Sequence, residues 1–164
     1  MNCNSERIPR PDSIGTAGGF KKILSFTLLA LVLCASTASA KRLSVAVDKA
    51  NVRSGPGTNN EILWSVGKYY PVNIIKKSGN WYKIRDFEGD IGWIYRTLLK
   101  KIPAVIVKSD RVNVRGGSGT SFKILFQAEK GVSFKLLKRK KKWLKVKHAD
   151  GDVGWLHKNL VWGY

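Results

Sequence analysis

The side chains in this sequence that could do chemistry are suited to binding. Trp81 is followed by Lys83 and Arg85, and Trp143 by Lys145 and Lys147. In an alternating segment each indole therefore shares a face with two cations. An aromatic plane beside cations suits stacking on a sugar or a base. Lys140, Lys141 and Lys142 lie immediately before Trp143. Between Lys135 and Lys147, eight cations and no acid fall within 13 residues. The candidate ligand-binding residues are Trp81, Trp143, Lys140, Lys141, Lys142 and Lys145. Trp93 and Trp155 each sit between a glycine and an apolar residue, and read as core or rim packing.

Residues for bond-making chemistry are sparse. The only histidines are His148 and His157, and no serine, threonine or cysteine stands in a pattern that pairs a nucleophile with a base. Asp86, Glu88 and Asp90 could open a calcium loop, but calcium takes roughly six to eight oxygens. The matching stretch later in the chain holds His148, Ala149 and Asp152 instead. Asn51-Val52-Arg53-Ser54-Gly55-Pro56-Gly57-Thr58 spaces two glycines as a phosphate cradle does. It lacks the Lys-Ser/Thr of a P-loop and no helical pattern follows it, so it reads as a tight loop needing backbone freedom. The expectation is a non-enzyme with no catalytic residues, no metal and no cofactor.

These residues are positioned by a repeat. Asn51-Val52-Arg53 returns as Asn113-Val114-Arg115, Trp81 as Trp143, and Gly89-Asp90-Ile91-Gly92-Trp93 as Gly151-Asp152-Val153-Gly154-Trp155, always 62 residues on. A fixed period without gaps means two copies of one structural unit. The copies are read as residues 41–102 and 103–164, joined by the short linker Lys100-Lys101-Ile102-Pro103. Units of this size are feasible as small domains and leave no room for a separate catalytic domain.

Within each copy the pattern is all-β. Leu43, Val45 and Val47 alternate with Ser44 and Ala46, and Val72, Ile74 and Ile75 form a β-branched run that ends at the turn Ser78-Gly79-Asn80. Tyr82 and Ile84, with Leu144 and Val146, are expected to face the core, and Trp81 and Trp143 the opposite side. Several short strands with frequent turns point to a small barrel, whose closure removes exposed edges.

Residues 1–40 read as a secretory signal: Lys21 and Lys22 supply charge, Ile23 to Ala35 is almost wholly apolar, and Ala38-Ser39-Ala40 is a small-residue cleavage site. Cleavage would make Lys41 the first mature residue, leave no membrane span, and remove Cys3 and Cys34, so disulfides are not expected. From Lys41 onward there are 26 Lys and Arg against nine Asp and Glu, a net of +17, with +7 in copy one and +10 in copy two. Such a field attracts polyanions.

Taken together, an opening strand, Asn-Val-Arg-x-Gly-x-Gly-Thr, a hydrophobic strand, Trp-Tyr-Lys-Ile and Gly-x-x-Gly-Trp-Ile resemble the bacterial SH3 domain, twice over residues 43–162. The resemblance implies two tandem SH3-like barrels of five to seven strands, and a targeting module of the kind often attached to cell-wall hydrolases and thought to bind peptidoglycan. It supplies no ligand. The function expected is an exported binding module for peptidoglycan or an associated anionic envelope polymer, placed in the periplasm, on the cell wall or outside the cell. The alternative is a structural module recognising an envelope protein or peptide. Nucleic acid fits the charge but sits badly with export.

Overall fold

The computed structural model describes residues 41–164; the expected leader and its cleavage site lie outside the described residues. Residues 41–164 fall within one compact unit. Strands β1 (Arg42–Val45), β2 (Lys49–Arg53), β3 (Ile62–Gly67), β4 (Pro71–Ser78), β5 (Trp81–Arg85), β6 (Ile91–Tyr95) and β7 (Leu99–Lys100) form one sheet, in the order β3-β2-β6-β5-β4-β1-β7. Strands β8 (Ala104–Val107), β9 (Arg111–Arg115), β10 (Ile124–Glu129), β11 (Ser133–Lys140), β12 (Trp143–Lys147), β13 (Val153–His157) and β14 (Val161–Gly163) repeat it as β10-β9-β13-β12-β11-β8-β14. A single 3-10 turn precedes the last strand of each sheet, Arg96–Leu98 and Lys158–Leu160. No helix among the described residues is long and apolar enough to cross a membrane.

Each sheet curls around its own core. Register shifts after Val52 and Ile74, and between Ile124 and Phe126 and between Leu136 and Lys138, supply the bends. Val45, Val52, Val72, Ile84 and Ile94 are fully buried in the first sheet; Val107, Val114, Phe134, Val146 and Leu156 take the same places in the second. Phe134 is larger than Val72, and the neighbours that pack on it shrink in step. Trp64, Tyr70 and Tyr82 against the first core become Phe126, Val132 and Leu144 against the second. Compensating changes of this kind hold the packing density of a core constant.

One expectation from alternation needs correction. Ile84, Leu144 and Val146 are buried as expected, but Tyr82 is only half-buried. It packs against the core from the side without being enclosed by it. Ser44, on the other face of β1, is 1% exposed. Its hydroxyl donates to the Ile102 carbonyl in the linker, at 2.9 Å. All four residues of β8 are buried likewise.

The seam between the sheets is bonded. Lys130 pairs with Glu88 at 2.6 Å, and the Ser133 hydroxyl donates to the Lys68 carbonyl at 3.0 Å. Arg42 donates to the Tyr164 carbonyl at 2.8 Å and lies over the Trp162 ring at 4.5 Å.

The second glycine of each Gly-Asp-x-Gly-Trp run is explained by close approach. Gly92 is buried where β6 meets β2. A Cβ there would overlap Val52 Cγ1 and lie 3.2 Å from the Arg53 carbonyl oxygen; Gly154 meets Val114 and Arg115 in the same way. Gly92→Ala is expected to cost about 1–3 kcal/mol, the usual penalty for overpacking a closed core. Calorimetry should then show a fall of several degrees in one melting transition. An unchanged Tm would contradict this reading of the motif.

Candidate functional site

The same eight positions line a groove in both copies. In the first sheet the groove is about 520 Å³, lined by Lys49, Ala50, Asn51, Arg53, Thr58, Trp81, Tyr95 and Leu98. In the second it is about 240 Å³, lined by Arg111, Val112, Asn113, Arg115, Thr120, Trp143, His157 and Leu160. Each pair is separated by the repeat offset. The sequence sets this up simply. In Asn-Val-Arg the valine is fully buried, so strand alternation turns the asparagine and arginine outward together.

Each groove is held in shape by bonds that also recur. Asn51 Oδ1 accepts from the Ser65 hydroxyl at 2.8 Å, and Asn113 Oδ1 accepts from Gln127 Nε2 at 2.9 Å. The amide N–H groups of both asparagines therefore remain available to a ligand. Arg53 donates to the carbonyls of Thr58 and Asn60 at 2.8 and 2.7 Å, and Arg115 donates to that of Phe122 at 2.8 Å. The arginine thus pins the glycine-containing loop against the groove. The far wall is a cross-strand aromatic pair. Trp81 meets Tyr95 edge-on with centroids 5.4 Å apart, and Trp143 meets His157 at 5.6 Å. A half-buried indole, a guanidinium and an amide converging on an open recess can stack on a ring and hydrogen-bond its substituents.

Among the sequence candidates, Trp81 and Trp143 lie in the two grooves. Lys140, Lys141 and Lys142 lie beside Trp143 in an adjoining cleft of about 480 Å³, shared with Ser118 and Phe122. Lys145 lines neither recess; it is half-buried, opposite Lys138 and Trp155 on the neighbouring strands. Trp93 and Trp155 are half-buried and belong to neither core cluster. Sequence reasoning missed Asn51, Arg53 and Thr58 with their equivalents, because the segment read as loop alone. The missed signal was the outward Asn-x-Arg alternation ahead of the loop, present in both copies.

Asp86, Glu88 and Asp90 do converge, with ligand atoms within 4.8 Å of one another, but the Asp86 carboxylate is already bonded and Glu88 pairs with Lys130. Asp86 Oδ1 accepts from the backbone N–H groups of Glu88, Gly89 and Asp90, each at 2.9 Å, and Oδ2 accepts from the Tyr70 hydroxyl at 3.0 Å. Burial, then the charge and hydrogen bond of Asp86, pushes the Tyr70 hydroxyl far above its ordinary range. Hydrogen bonding to Glu88, reinforced by its charge, raises Lys130. In the second sheet His148 Nδ1 lies 2.8 Å from Asp150. That bond, with the backbone N–H of Asp152, holds Asp150 below the usual carboxylate range.

The sequence model of the bacterial SH3 domain matches residues 46–101 and 108–163. Over 138 residues the chain is 28% identical to YrvJ of Bacillus subtilis (strain 168), which carries the provisional name of an N-acetylmuramoyl-L-alanine amidase. The match takes in 76% of this chain, which spans about a quarter, 26%, of that relative's length. Among solved structures, an NlpC/P60 family protein from Bacillus cereus ATCC 10987 is similar at 16% identity and a TM-score of 0.37, over 76% of this chain and 56% of that one. NlpC2 from Trichomonas vaginalis is similar at 11% identity and a TM-score of 0.35, over 76% and 48%.

Proposed function

The chain belongs to the bacterial SH3 domain family, in two tandem copies, and from that premise we propose that it is a non-catalytic binding module that docks on the bacterial cell envelope. The ligand is peptidoglycan or an anionic polymer attached to it. The observation that carries this reading is the repeated groove: eight positions, two polar side chains held in place, and an aromatic wall, at one fixed offset. A groove preserved between copies whose cores have repacked is best accounted for by a shared ligand. The name of the amidase-like relative supports a wall setting, and the net positive charge would draw the protein to an anionic surface.

Two grooves on one chain give avidity. If both reach sites together, the second contact becomes intramolecular and apparent affinity rises by about 10² or more. The bonded seam limits the orientations available, so the gain depends on ligand sites at the spacing that the seam sets.

A second reading rests on the sheet edges. Edge strands β3 and β10 expose Ile62 and Leu63, and Ile124 and Leu125, each 43–47% accessible. An unpaired apolar edge can accept an extended peptide as an added strand, which would suit an envelope protein as partner.

Co-sedimentation of residues 41–164 with purified peptidoglycan sacculi tests the leading reading. Retention that persists at moderate salt is the expected result. Complete release at physiological ionic strength would leave only unspecific charge attraction and would contradict it.

A further inference from the structure

We propose that the second sheet carries an additional site of its own, for a phosphate-linked glycopolymer, in the cleft beside the β11–β12 hairpin tip. The proposal rests on the envelope-binding reading above and names a ligand class for a recess whose lining side chains differ from those at the equivalent positions of the first copy.

Two separate elements have changed to build it. On the hairpin, Lys140, Lys141 and Lys142 replace Ser78, Gly79 and Asn80 of the first copy. On the loop after β9, Phe122 replaces Asn60. In the first copy the Asn60 amide folds back onto the Gly57 carbonyl at 3.3 Å. In the second, Phe122 lies directly over Gly117 and is 49% exposed. Phe122, Trp143 and the three lysines then enclose one cleft. An aromatic wall and a cationic rim have arrived together, from opposite sides.

The cations are arranged at a cost to the unliganded protein. Lys138 faces Lys145 across the ladder as Lys76 faces Lys83 in the first copy, and the second copy adds Lys135 opposite Lys147, where the first has Asn73 opposite Arg85. Like charges directly opposite are destabilising, and among the described residues no carboxylate forms an ion pair with any of the eight. Lys141 has a φ of 54°, matching 53° at Gly79, a conformation disfavoured for any residue with a Cβ. A chain of anionic groups laid along the hairpin would relieve the repulsion.

Ring faces for Phe122 and Trp143, with phosphates for the lysines, describe a polymer that alternates the two. Trp143 walls both this cleft and the repeated groove. One ligand can therefore reach from one recess to the other, and the envelope-binding reading favours a phosphate polymer attached to the wall over free nucleic acid.

The test uses a glycosylated poly(ribitol phosphate) and single-stranded DNA of matched charge as probes. The variant Lys140→Ser/Lys141→Gly/Lys142→Asn takes the first copy's own turn and should fold normally. It should bind the glycopolymer at least about tenfold more weakly at low salt. The log–log salt slope should flatten by roughly 2–3, since each phosphate-contacting lysine contributes about 1. Phe122→Asn should lower affinity with the slope unchanged. If the turn variant melts early, Lys140→Gln/Lys142→Gln repeats the measurement on the native backbone. Sacculi stripped of phosphate polymer report on the grooves alone: wild type and turn variant should be retained equally, and loss of both would sink the envelope reading rather than this site. Unchanged glycopolymer affinity in the turn variant would overturn the proposal. So would DNA binding as tightly as the glycopolymer at the same salt, which would make the cleft a nucleic-acid site.

Discussion

Asp86→Ala should unfold the first sheet well before the second. Asp86 is 6% exposed and its carboxylate ties three consecutive backbone N–H groups and the Tyr70 hydroxyl to one point. Hydrogen bonds to a charged acceptor contribute roughly 1.5–3 kcal/mol each. Even with strong non-additivity, a loss of about 3 kcal/mol or more is expected. That is a large share of the few kcal/mol that stabilise a unit of this size. Calorimetry should resolve two transitions, with only the first shifted down. Asp86→Asn retains an acceptor at Oδ1 and should lose far less. If alanine and asparagine are equally mild, Asp86 is not the fastening point described here. The same arrangement predicts alkaline sensitivity. Tyr70 keeps its proton in the fold well beyond its ordinary value of 10.0, so the unfolded chain ionises first. Its contribution is complete below pH 10 and is lost progressively above it. Tyr70→Phe should remove that part of the alkaline loss.

The second large effect concerns the grooves. Trp81→Ala and Trp143→Ala should each weaken retention on sacculi, and the double variant should lose more than either single effect suggests. A ring stacked on an indole is worth roughly 1–3 kcal/mol, about tenfold to a hundredfold. Removing one indole also cuts avidity, because one groove can no longer hold the chain while the other rebinds. Removing both should reduce retention by at least about a hundredfold, the product of the two single losses. The loss should change little with salt, since stacking is far less screened than charge. Both indoles are half-buried on outer faces, so the fold should survive. A double variant that binds like wild type would place recognition elsewhere.

Much of this was legible in the sequence because the repeat performs the comparison internally. Identical residues at one offset give two copies, and period-two alternation gives Ile84, Leu144 and Val146 to the core. What alternation could not give was the seam. Ser44 is buried with its hydroxyl bonded to the Ile102 carbonyl of the linker, 58 residues away. Nor could it give the commitment of Asp86, whose partner Tyr70 lies 16 residues away. The second copy has His148 at the equivalent position, so comparing the copies conceals its importance. The groove was half legible: Trp81 and Trp143 stand out by type. The Asn-x-Arg alternation turns Asn51 and Arg53 outward, but it does not tell which residues, distant in sequence, the sheet brings beside them.

The central claim is that the repeated groove is where the envelope is bound. Backbone amide and indole NMR shifts of residues 41–164, titrated with soluble peptidoglycan fragments, test it most directly. Perturbations are expected at Asn51, Arg53, Thr58, Trp81 and Tyr95, with the same set at Asn113, Arg115, Thr120, Trp143 and His157. Perturbations confined to the edge strands around Ile62, Leu63, Ile124 and Leu125, with both indoles unmoved, would contradict it and assign the chain to a peptide partner.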